Sequence, residues 1–111
     1  MNKILLPSTD RVDVLNEAIS TYGHRAQVDM IIEEMAELTQ ALLKERRYLS
    51  SGKIQMCAHE KKVSNISEEM ADVIIMLMQL LIIFDNSESV QSYINSKINR
   101  LAERIDLVHN V

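Results

Sequence analysis

Little in this chain can interrupt a helix. Pro7 is the only proline, and Gly23 and Gly52 are the only glycines, in 111 residues. So few turn-forming residues argue against sheets and tight turns and for helices. Tryptophan is absent, and three tyrosines and one phenylalanine are the only aromatics. The single Cys57 excludes an intramolecular disulfide and fits a reducing compartment. No apolar run reaches the ~18–20 residues that span a bilayer. The longest, Val73 to Phe84, is broken by Gln79, and the apolar start before Pro7 is too short for a signal peptide. A cytoplasmic protein without a membrane partner is expected. Positive charge is also scarce: 12 Lys and Arg against 16 Asp and Glu give a net charge of −4. That balance argues against a nucleic-acid polymer as partner. An acidic protein that binds phosphates would need a metal as intermediary.

What remains reads as one all-α domain over 1–111, with four helices and a core from about residue 12 to 108. After a loose lead-in over residues 1–9, Ser8, Thr9 and Asp10 can each cap a first helix. Val12, Leu15, Ile19 and Tyr22 form its stripe, and Gly23 stops it. The second helix is expected from about Ala26 to Tyr48. Leu49 to Asn65 has no clear periodicity and reads as a long connection. The third helix is expected to begin near Asn65, where Asn65 and Glu68 resemble a capping box. Its body, Val73 to Phe84, is apolar on all sides and so calls for burial all round. One small protomer cannot easily supply that, so a homo-oligomer, a dimer or a dimer of dimers, is expected. Asp85 and Glu88 suggest a capping box for a fourth helix to about Val108. Ile94, Ile98, Leu101, Ile105 and Val108 form its bundle-like seam.

Two stretches carry the chemistry: Ile32-Glu33-Glu34-Met35-Ala36-Glu37-Leu38 and Ser67-Glu68-Glu69-Met70-Ala71-Asp72-Val73. Each sets two carboxylates three residues apart, which places them on one helix face. Such pairs are common. Roughly two are expected by chance at this composition, and the chain has five, counting Asp10/Asp13, Asp85/Glu88 and Glu103/Asp106. Glu34/Glu37 and Glu69/Asp72 differ in sharing a Glu-Glu-Met-Ala lead and in lying among apolar residues. Converging carboxylates repel, so they must either take up protons or bind a cation. An all-oxygen donor set suits Mg²⁺, or Mn²⁺, rather than zinc or copper. The competing reading pairs these acids with Lys or Arg of a neighbouring helix. A di-iron bundle would need inward Glu-x-x-His pairs, and none occurs.

Glu33-Glu34-x-x-Glu37 followed by Glu69-x-x-Asp72 resembles the signature of the MazG-type, all-α nucleoside triphosphate pyrophosphohydrolases. The likeness runs from about Val12 to Arg104 and takes in Tyr22-Gly23, Gln27, the apolar run after Asp72, and Lys97-Ile98-Asn99-Arg100. It implies a four-helix protomer that associates with its own copies. Its substrate would be a nucleoside triphosphate, cleaved between the α- and β-phosphates. Glu34, Glu37, Glu69 and Asp72 would then hold Mg²⁺. Glu37 or Glu33 would orient or deprotonate the water, and Lys97, Arg100 and Arg104 would hold phosphates. Tyr22 and Gln27 would contact base or sugar. Asn65 stands where some members have Lys, so Lys61 or Lys62 would serve instead. The rival expectation is a non-catalytic helical adaptor or regulator.

Overall fold

The computed structural model describes residues 6–53 and 55–109. Four helices follow one another: α1 (Thr9–Tyr22), α2 (His24–Ser50), α3 (Met56–Ile83) and α4 (Ser87–His109). There is no strand among the described residues, and none of these helices is long and apolar enough to cross a membrane. Most of the expected lead-in, residues 1–5, lies outside the described part.

Gly23 makes the α1–α2 joint. Its φ of 91° lies in the region that glycine tolerates best. Its N–H donates to the Ile19 carbonyl at 2.8 Å, and its own carbonyl accepts the Gln27 N–H at 3.1 Å, so one residue closes α1 and opens α2. At the other joint, Asp85 adopts φ 47°. The Asp85 N–H donates to Ile82 and the Asn86 N–H to Leu81, the pairing of a Schellman C-cap. Asp85 therefore ends α3 rather than capping α4, and the Asn86 carbonyl accepts the first α4 bond, from Val90.

The largest departure from expectation is the start of α3. Residues 56–65 are helical, so Asn65 lies inside the helix and caps nothing. The reason is in the side chains that face α2. At this end His59 and Lys62 take positions that further along are filled by Ile66, Glu69, Val73 and Met76. The helical period continues, but its apolar label is lost.

α2 and α3 form an antiparallel hairpin. The more buried residues of α2 are Gln27, Ile31, Glu34, Leu38, Ala41, Glu45 and Tyr48, alternating four and three apart. Ile31, 2% exposed, is the centre of a small core with Val73 and Met76, flanked by Leu38 and Leu80. Beyond this layer lies a polar one. Gln27 and Gln79 are 6% and 4% exposed, and the Gln27 amide donates to the Gln79 carbonyl oxygen at 2.6 Å. At the far end, the Tyr48 hydroxyl donates to the Gln55 carbonyl at 2.9 Å and accepts the Gln55 N–H. Glu45 Oε1 lies 3.0 Å from His59 Nδ1, and Lys62 lies 5.2 Å from the centre of the Tyr48 ring.

α1 packs along α2 and α3, whereas α4 packs extensively on no other helix and buries none of its residues. The expected seam of Ile94, Ile98, Leu101, Ile105 and Val108 is left partly or fully exposed. The apolar body of α3 is buried only through Val73 and Met76, while Ile74, Ile75 and Leu77 stay exposed. The radius of gyration, 17.9 Å, exceeds the ~13 Å of a compact chain of this length.

Candidate metal centre

Helical spacing and hairpin register together build the acidic cluster. Glu34 and Glu37 lie one turn apart on α2, and Glu69 faces them from α3. One carboxylate oxygen from each of the three lies within 4.8 Å of the other two. Glu34 and Glu69 are half-buried and Glu37 is exposed. Glu37 stands beside both others, and its negative charge raises the pKa of each. Oε2 of Glu34 and Oε2 of Glu69 are buried without any hydrogen-bond partner.

Among the described residues no Lys or Arg lies within ion-pair distance of a carboxylate, and the one contact of that kind is Glu45 with His59, charged only when the imidazole is protonated. The described protomer therefore does not realise the reading of these acids as ordinary salt-bridge partners. Both half-buried carboxyls are held above the ordinary value of 4.5. Desolvation is the largest cause for each. For Glu34 the charges of Glu37, Asp72 and Glu69 follow, and for Glu69 those of Glu37, Asp72 and Glu68. Asp72 is thus close enough to be felt electrostatically, though it is not one of the three converging ligands.

An all-oxygen set with an orphaned buried oxygen on each helix fits a hard divalent cation. It also fixes a pH dependence. A carboxyl whose pKa is higher folded than unfolded favours folding at low pH. Its contribution is complete below 4.5 and is lost as pH rises through the raised values of Glu34 and Glu69. We expect the Tm of the EDTA-treated protein to fall between pH 4.5 and neutrality, and Mg²⁺ to restore much of the loss at neutral pH. A Tm insensitive to Mg²⁺ at neutral pH would contradict the cation assignment.

The other expected site residues are placed less favourably. Glu33 is exposed and outside the cluster. Gln27 is turned inward and its amide is bonded to Gln79, so in the protomer it is not available to a base or sugar. Tyr22, 67% exposed at the end of α1, faces solvent. Lys97, Arg100 and Arg104 are all exposed on α4, which does not bring them against the cluster within one protomer. Lys62 is half-buried on α3. The sequence reading missed Gln79 as the partner of Gln27, although it was legible as the one polar break in an apolar run. Comparison with protein-family models, with curated proteins and with solved structures found no match.

Proposed function

We propose that this chain is a divalent-cation-dependent hydrolase of nucleoside triphosphates that releases pyrophosphate and works as a homo-oligomer. One observation carries the reading: three carboxylates of two helices converge within 4.8 Å, and among the described residues no Lys or Arg pairs with them. The resemblance of the two acidic motifs to MazG-type enzymes supplies the reaction class. Glu34, Glu37 and Glu69 would hold the cation, with Asp72 adding charge from the same helix as Glu69. Bound there, Mg²⁺ or Mn²⁺ would neutralise phosphate charge and acidify a water.

The chain's own residues then have distinct tasks. Glu34 and Glu69, half-buried, fix oxygen positions in the hairpin. Glu37, the exposed member of the three, would reach solvent and accept the proton of the attacking water. The water oxygen bonds to the α-phosphorus, the bond to the bridging oxygen breaks, and pyrophosphate leaves beside the monophosphate.

The apolar surface supports self-association. Ile74, Ile75 and Leu77 on α3 and Ile98, Leu101 and Ile105 on α4 are all exposed. α4 would pack across that interface, carrying Lys97, Arg100 and Arg104 towards phosphates.

The test is pyrophosphate release from a panel of ribo- and deoxyribonucleoside triphosphates, with Mg²⁺, with Mn²⁺ and with EDTA. Release that EDTA abolishes supports the proposal. No release from any nucleotide by an intact oligomer would replace it with the helical adaptor.

A further inference from the structure

One polar contact sits where the hairpin is otherwise apolar. Gln27 and Gln79 are as buried as the core residues beside them. The Gln27 amide donates to the Gln79 carbonyl oxygen. The Gln79 amide nitrogen in turn approaches Met76 Sδ at 3.5 Å, and Met76 packs with Ile31 and Val73. Both ends of the Gln79 side chain are thus committed. Among the described residues, and the Glu45–His59 contact apart, this is the one hydrogen bond between side chains of two different helices.

Its place along the hairpin ties it to the acids. Gln27 precedes Glu34 by seven residues on α2, and Gln79 follows Asp72 by seven on α3. A step of that length returns to the same helix face, ~10 Å along the axis. Glu69 lies on that face of α3 too, one turn before Asp72. The amide pair therefore repeats, without charge, the facing geometry that the carboxylates adopt further along. The carboxylates themselves oppose that geometry unless a cation is bound. A small rotation of either helix about its axis would turn them towards solvent and relieve their repulsion. The apolar contacts at Ile31, Val73 and Met76 resist rotation weakly, because burial carries no direction. A hydrogen bond does carry direction, and breaking this one would leave two buried amides unpaired.

We propose that Gln27 and Gln79 are positioning residues for the acidic cluster. Their hydrogen bond fixes how α2 and α3 face each other and holds Glu34 and Glu69 together before any cation arrives. The consequence for a cation rests on the metal-centre reading; the facing of the helices does not.

Gln27→Met/Gln79→Met tests this, since Met is unbranched and lacks the polar end. Replacing both partners of a buried hydrogen bond by apolar groups is nearly neutral or stabilising, so the Tm in EDTA should stay at or above that of the parent. Gln27→Met alone leaves the Gln79 oxygen unpaired and should melt below the double variant. Spin labels on Gln40→Cys/Ser64→Cys, both exposed positions, report the facing in EDTA. The label-bearing chain carries Cys57→Ser and is diluted into excess unlabelled chain, so that distances within one protomer are read. The parent should give one narrow distance, and the double variant a broadened or shifted one. By calorimetric titration, Mn²⁺ should bind the double variant about tenfold or more weakly, the usual cost of freeing metal ligands from the groups that orient them. An unchanged distance, or an unchanged Mn²⁺ affinity, would overturn the positioning role. So would a double variant that unfolds in EDTA, because the pair would then be a plain stabilising contact. A parent that binds no Mn²⁺ would remove the metal centre, and the distance measurement alone would decide the positioning.

Discussion

On the proposed mechanism, Glu37→Gln is expected to abolish pyrophosphate release and to leave the helices folded. Glu37 is the exposed member of the cluster, with a carboxylate oxygen within 4.8 Å of one from each of the others. The amide keeps its length and nearly its helix propensity. It loses the negative charge, one cation ligand and the capacity to take a proton. Loss of a positioned base alone removes about 10²–10⁴ of rate, and weakened cation binding adds to it. Stability should hold or rise, because the repulsion felt by Glu34 and Glu69 falls. Initial rates with saturating Mg²⁺ and a thermal melt of the same sample check both halves. Turnover within about tenfold of the parent, set against that expected range, would remove Glu37 from the mechanism.

Ile31→Ala has the largest expected effect on stability. Ile31 is 2% exposed and touches both Val73 and Met76. Truncating a fully buried Ile to Ala typically costs about 2–5 kcal/mol, out of a usual total of 5–15. Here the buried apolar set is small: Ile19, Ile31, Ala41, Val73 and Met76. No second core layer shares the loss, so a value in the upper part of that range is expected, with a Tm lowered by roughly 10 °C or more. The melt should be read with Mg²⁺ absent, so that cation binding does not mask it. A shift of only a few degrees would mean that the stability resides in contacts between copies rather than in the hairpin.

How much of this was visible in the residues depended on whether periodicity and chemistry coincided. Where apolar residues mark the buried stripe, as at Leu15, Ile19 and Ile31, the helices were legible. So were Gly23, whose backbone demands a glycine, and the acidic pairs, whose spacing is set by the helix itself. The start of α3 was not legible, because His59 and Lys62 occupy its inward positions and are held there by partners, Glu45 and Tyr48, that only the hairpin register supplies. Asp85 illustrates the same limit. Its sequence context fits an N-cap, but the left-handed turn it adopts belongs to the preceding helix. The burial predicted for the whole apolar body of α3 depended on a second copy, and within the protomer only one side is covered.

Loop-closure entropy favours a hairpin that forms from its closed end. On that path Tyr48 and Gln55, seven residues apart, would meet first. Glu45 with His59 would follow, and Gln27 with Gln79, 52 residues apart, would close last. Between these steps the zipper must bring Glu34 and Glu37 onto Glu69 before the Ile31 layer can dock. Like charges thus stand in the middle of the route, at the point where apolar burial has barely begun. Protons or divalent ions at this layer would then act on the rate at which the hairpin forms as well as on its final stability. Stopped-flow refolding should therefore be faster with Mg²⁺ than with EDTA.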